Sequence, residues 1–279
     1  MTIRISRSAL RPAAILAAIF LLSSCGKDTE ANTQEAAAPI QATGKKNSKS
    51  QWYTGKAQWN SGVSGLSDDL RGNQQVSVRS GSRSAPYIAI TFDDGPHPEL
   101  TPKLLDILKS RNVKATFYVL GPKVEQHPEI ARRIVREGHE IGNHTMTHPV
   151  MSKMGVSSVR SELERCEEVI IRVTGVTPKT MRPPYGAFKN EQRQWAFAEF
   201  GYPTILWDVD PNDWKRPGSS VVAHRLINGT RNGSILLAHD IHPGTITAMP
   251  QTLDTLINKG YKFVTVSQLI EYSNAASGQ

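Results

Sequence analysis

Two short stretches carry side chains that could do chemistry together. Thr91-Phe92-Asp93-Asp94-Gly95-Pro96 sets two adjacent carboxylates ahead of two turn formers. Neighbouring side chains on an extended backbone point to opposite faces. The pair can therefore divide its labour, one carboxylate on a metal ion and the other free as a base. By itself an Asp-Gly step is also a common turn. His144-Thr145-Met146-Thr147-His148 spaces two imidazoles four residues apart. On one helical turn, positions i and i+4 share a face, so both nitrogens would reach one ion. Two histidines and one carboxylate make a facial triad that keeps positions open for water and substrate.

Three further segments sit in similar company. In Arg182-Pro183-Pro184-Tyr185-Gly186 the prolines stiffen the chain and the glycine permits an unusual turn. A rigid loop of this kind can aim a backbone N–H, such as that of Tyr185, at a developing oxyanion, and Arg182 can pair with an aspartate. Asp210-Pro211-Asn212-Asp213-Trp214 and Leu237-Ala238-His239-Asp240 each follow an apolar run. A histidine beside a carboxylate can be kept protonated for general-acid work. Trp214 offers a flat face suited to a sugar ring. His97, His127, His139, His224 and His242 lack such company and receive no role, and Cys166 reads as a half-buried helical thiol rather than a nucleophile.

The elements that must position these groups alternate. Apolar, β-branched runs predict strands at Tyr87–Phe92, Ala115–Leu120, His139–Asn143, Thr180–Arg182, Thr204–Val209, Ser234–Ala238 and Lys262–Val266. Between them lie helical patterns. Thr101 is a candidate N-cap with Pro102 at the first helical position, and Pro128 opens a second helix that Gly138 closes. Others are expected over about 158–173, 190–200, 220–227 and 251–259. Repeated strand–helix units predict an α/β fold with a mainly parallel sheet. The polar residues singled out above cluster just after the strands, where parallel folds keep their chemistry. Seven strands rather than eight point to a distorted (β/α) barrel, with an open doubly wound sheet as the alternative.

The chain has 279 residues, a formal charge of +8 and only two cysteines, Cys25 and Cys166. Its Lys and Arg are scattered without an aromatic-interleaved basic stripe, which argues against a nucleic-acid partner. Arg4, Arg7 and Arg11 precede an apolar run from Ala13 to Leu22 that is too short to span a bilayer. It ends in Leu22-Ser23-Ser24-Cys25, which resembles the lipobox of bacterial lipoproteins. Residues 1–24 thus read as a signal peptide, and Cys25 as a lipidated first residue that anchors the chain to a membrane. Residues 26–85 are rich in small and polar types and read as a flexible linker with a reach of about 40 Å. The catalytic unit is expected over 86–272, with a short tail at 273–279.

The five motifs, in this order, resemble the NodB-homology polysaccharide deacetylases, carbohydrate esterase family 4. The likeness runs from about Pro86 to Tyr272 and includes His127-Pro128-Glu129-Ile130 and the Gly138-to-His144 approach to the histidine pair. It implies the distorted barrel of that family, about seven parallel strands with surrounding helices. It implies that Asp94, His144 and His148 hold a divalent ion, Zn²⁺ first, with Co²⁺, Ni²⁺ or Mn²⁺ as alternatives. Asp93 would be the base, paired with Arg182, and the Tyr185 N–H would meet the oxyanion. His239, supported by Asp213, would be the acid, and Leu237 and Trp214 would shape the pocket with Tyr185. The implied reaction removes N-acetyl groups from N-acetylglucosamine in peptidoglycan or a chitin-like polymer. The signal peptide and lipid place the enzyme facing the periplasm or cell exterior, where a monomer is expected. Two rivals are an O-acetyl esterase on acetylated xylan and a catalytically silent carbohydrate-binding module.

Overall fold

The computed structural model describes residues 76–277. Cys25, the expected signal peptide and the expected linker up to residue 75 lie outside the described residues. The elements run β1 (Ser77–Val78), β2 (Tyr87–Asp93), α1 (Leu100–Ser110), β3 (Thr116–Val119), α2 (Gly121–Gln126), α3 (Pro128–Arg136) and β4 (Glu140–Asn143). They continue with α4 (Val156–Thr174), α5 (Asn190–Phe200), β5 (Thr204–Ile205), α6 (Ser219–Gly229), β6 (Ile235–His239), α7 (Pro243–Asn258), β7 (Lys262–Phe263) and α8 (Val266–Ser277).

Every named strand pairing is parallel. β2 is the axis, flanked by β6 along one edge and by β3 and β7 on the other, with β4 beyond β3. Single bridges complete the ring. Met181 pairs with Asn143 on one side and Thr204 on the other, and Val209 pairs with Leu236. The strand expected over 180–182 is thus reduced to one residue, because Pro183 and Pro184 have no N–H to continue a ladder. The result is an α/β barrel, closed but irregular.

Alternation along the strands divides the interior. Ile88, Ile90 and Phe92 of β2 face outward into a cluster with Leu104, Leu105 and Leu108 of α1. Ala89 faces inward with Tyr118, Ile205 and Ile235, and Val266 and Leu269 of α8 belong to the same cluster. Full burial of such side chains stabilises by roughly 1.5–3 kcal/mol each.

Several local expectations change. Residues 76–85, read as the end of the linker, include β1, which pairs with β5, and Gly81 N–H bonds to the Gly233 carbonyl at 2.7 Å. α7 begins eight residues before Gln251 and runs through Pro250. The last strand stops at Phe263, and α8 takes up much of the expected tail. Thr101 lies inside α1 behind the N-cap position Glu99, and its hydroxyl accepts the His97 N–H at 2.7 Å and donates to Asp240. Among the described residues, no helix is long and apolar enough to cross a membrane.

Candidate active site

β2, β4 and β6 deliver their last residues to one end of the barrel, in register: Asp93 pairs with His239 across β2 and β6. Asp94 follows with φ of 74°, and its carboxylate turns into the same site as that of Asp93, the two facing one nitrogen, His144 Nε2. The next residue must be glycine. A Cβ on Gly95 would lie 2.2 Å from Oδ2 of Asp240, a carboxyl buried directly behind the turn. Burial pushes Asp240 up to about 7, although the Thr101 hydroxyl that donates to it works in the opposite direction.

The two histidines of the His144–His148 segment do converge, but not on a helix. Thr145 (φ 74°) and His148 (φ 57°) are left-handed, and Pro149 follows. A residue before proline is disfavoured in the α region, so the turn closes as a loop. His144 Nδ1 donates to the Arg182 carbonyl at 2.7 Å, which leaves its Nε2 with a free lone pair. That Nε2 lies 3.4 Å from Asp94 Oδ1, and the Nε2 of His148 lies 3.3 Å from the same oxygen. Asp94 Oδ1 is buried and has no hydrogen-bond partner. Three ligand atoms within 4.8 Å of one another, one of them an otherwise orphaned carboxylate oxygen, fit a single divalent cation.

Asp93 is held differently. Its Oδ1 accepts from Arg182 Nη1 at 2.8 Å, and its Oδ2 faces His144 Nε2 at 3.9 Å. Arg182 is fully buried. It spends its remaining donors on the Thr91 hydroxyl at 2.6 Å and the carbonyls of Leu206 and Ile205, and its guanidinium lies over the rings of Tyr118 and Trp207. A planar fork saturated on several sides is a rigid support for one carboxylate oxygen.

Across the site His239 Nδ1 meets Asp213 Oδ1 at 2.7 Å. Asp213 also accepts from the His239 N–H (2.8 Å), the Trp214 N–H (3.0 Å) and the Thr245 hydroxyl (2.7 Å). Burial disfavours the imidazolium, but the Asp213 carboxylate overcomes it, helped by Asp93 and Asp94, and raises His239 to about 9. Asp213 itself is lowered, because the bonds from His239 and Thr245 outweigh its burial.

The rim is exposed. Tyr185, at φ 60°, is 67% accessible and sets its ring edge-on to His148 at 4.7 Å between centroids. Trp214 is 54% accessible, with the Lys215 ammonium over its ring. Leu237 is buried one pleat below His239, in register with Thr91. Cys166 is fully buried, and that burial pushes its thiol up to about 12, so it is inert.

The structure therefore brings Asp93, Asp94, His144, His148, Arg182, Tyr185, Asp213 and His239 to one end of the barrel, with Trp214 beside Asp213. Spacing alone missed Thr91, Tyr118, Trp207 and Thr245, whose contacts are tertiary, and it also missed His242, whose ring lies 5.8 Å from that of His239. Asp240 directly follows His239 in the sequence, yet nothing in that position signals its place behind the Asp94-Gly95 turn.

Residues 80–205 match the family model described as polysaccharide deacetylase. A peptidoglycan-N-acetylglucosamine deacetylase of Listeria monocytogenes is 42% identical over 65% of this chain, and the match spans 38% of that longer relative. One from Bacillus cereus is 39% identical, over 68% of this chain and 72% of its own length. The solved structure of the peptidoglycan N-acetylglucosamine deacetylase Bc1960 superposes with a TM-score of 0.68 at 37% identity, covering 70% of this chain and 92% of that one. Barrel, site and likeness agree, and the chain belongs to the polysaccharide deacetylase family.

Proposed function

We propose that this chain is a metal-dependent hydrolase that removes N-acetyl groups from N-acetylglucosamine residues of a polysaccharide and releases acetate. The observation that carries this is the buried, unpartnered Asp94 Oδ1 facing two imidazole nitrogens. On its flanks stand an arginine-held carboxylate and a carboxylate-held imidazole. Asp94, His144 and His148 would hold the ion, Zn²⁺ first, with Co²⁺, Ni²⁺ or Mn²⁺ able to replace it. When bound, it supplies Lewis acidity toward the amide carbonyl and makes water easier to deprotonate.

The chain's own groups do the rest. Asp93 takes the proton of the attacking water at Oδ2, while Arg182 fixes Oδ1. The Tyr185 N–H donates to the oxyanion that forms at the carbonyl. As the carbon–nitrogen bond breaks, His239 gives its Nε2 proton to the departing amine, and Asp213 holds the ring protonated and oriented. The exposed face of Trp214 supports a sugar ring, and Leu237 and Tyr185 bound the acetyl side. An amine leaves poorly without a proton, so a dedicated acid favours an amide over an ester.

Peptidoglycan glycan is the first substrate and a chitin-type chain the second. Acetate release by the metal-loaded protein from peptidoglycan, chitooligosaccharides and acetylxylan, assayed side by side, tests this. Release from one of the N-acetylated polymers is expected. Release from acetylxylan alone would make the enzyme an O-acetyl esterase, and release from none would make the chain a silent binding module.

We also propose that lipid on Cys25 tethers the enzyme at the cell envelope, on the strength of the Leu22-Ser23-Ser24-Cys25 ending. Labelled palmitate should enter the wild type and be lost in Cys25→Ser. A wild-type protein that is soluble and unlabelled would end the anchoring proposal.

A further inference from the structure

The imidazoles of His144 and His148 hang from a loop with two demanding backbone conformations, Thr145 at φ 74° and His148 at φ 57°. One is β-branched and the other precedes a proline. Left-handed conformations of such residues persist only where the surroundings over-determine them. Two polar side chains provide that here. Asn143, fully buried, accepts the Thr145 N–H at Oδ1 (2.8 Å) and donates from Nδ2 to the Leu163 carbonyl of α4 (2.9 Å). This fixes the start of the loop.

Its other end is gripped by Glu162, also on α4 and only 8% exposed. Glu162 Oε2 accepts the Thr147 N–H at 2.7 Å, and Oε1 accepts the Thr147 hydroxyl at 2.8 Å. Thr147 is the residue before His148, whose own N–H bonds to the Thr145 hydroxyl at 3.1 Å. A carboxylate is costly to bury unless hydrogen bonds compensate it. Among the described residues Glu162 forms no ion pair, and both of its oxygens are committed to this one loop residue.

We propose that Glu162 is a positioning residue of the metal centre. By clamping the peptide ahead of His148 it sets the direction in which that ring presents Nε2 to Asp94. The proposal rests on reading Asp94, His144 and His148 as the ligand set. Outer-shell partners of this kind typically govern metal affinity by about 10–100-fold.

The test is Co²⁺ binding to the full chain by calorimetry, together with the visible spectrum of the bound ion, for wild type and three variants. Glu162→Gln can accept the amide N–H and donate to the threonine oxygen, so it should match wild type in affinity and spectrum. Glu162→Ala should bind Co²⁺ about 10–100-fold more weakly, with an altered spectrum. Thr147→Ala keeps the backbone arm and should fall between. Glu162→Ala with wild-type affinity and spectrum would overturn the proposal, as would equal impairment of Glu162→Gln and Glu162→Ala. If Glu162→Ala fails to fold, the other two variants decide, and wild-type behaviour of Thr147→Ala would then count against the clamp. A wild type that binds no Co²⁺ would bring down the ligand set itself, which is a separate failure.

Discussion

His144 and His239 occupy equivalent places and are held by opposite kinds of partner. Each stands at the end of a barrel strand, and each commits its Nδ1 to a partner 2.7 Å away. For His144 the partner is a carbonyl, a neutral acceptor that fixes the tautomer and leaves Nε2 a lone-pair donor. For His239 the partner is the Asp213 carboxylate, which raises the ring to about 9 and leaves Nε2 carrying a proton. On the proposed function, one side of the site holds a cation and the other gives up a proton. The residue type is the same, and the group behind the ring assigns the role.

The sharpest way to break this contrast is through the aspartate between the two sides. Asp93→Asn keeps the shape of the side chain but cannot take a proton. Its rate of acetate release should fall by about 10²–10⁴-fold, while metal content measured by elemental analysis stays at one ion per chain. A near wild-type rate would mean that the base is another group.

A smaller effect is expected from Asp213→Asn. A raised pKa means that the acid form of His239 is present below about 9 and is lost as pH rises through that value. Without the carboxylate, the group should titrate nearer its ordinary value of about 6.5. At pH 8 the protonated fraction then drops by roughly 30-fold. The alkaline limb of the pH–rate profile should move to lower pH by a comparable amount. A bound cation displaces both limbs downward without removing the difference between them. Coincident limbs for wild type and Asp213→Asn would disconnect Asp213 from the acid.

Much of this site is legible in the sequence, because its residues stand at or just after the ends of apolar runs: Asp93 at the end of β2 and Asp94 after it, His144 after β4, and His239 at the end of β6. A parallel arrangement necessarily gathers such positions at one end. Less legible is how the ring closes. β1 is two residues long in a polar stretch, and Met181 contributes one bridge. The first leaves no periodic signal, and the second is what remains of the strand expected over 180–182. The i, i+4 spacing of His144 and His148 leads to the right pair by a wrong route, since positive φ at Thr145 and His148 replaces the helical turn. Pro250 hides the first half of α7, and with it Thr245, the hydroxyl that completes the shell of Asp213 from 32 residues away. Contacts of that range are set by packing and leave no trace in spacing.

The division between the two histidines is tested most directly by the visible spectrum of Co²⁺ bound to His144→Ala and to His239→Ala, measured beside acetate release. Both variants should lose activity. Only His144→Ala should lose the spectrum of the bound ion, whereas His239→Ala should retain it at wild-type stoichiometry. A His239→Ala protein that no longer binds Co²⁺, or a His144→Ala protein with an unchanged spectrum, would contradict the assignment of metal to one side and proton to the other.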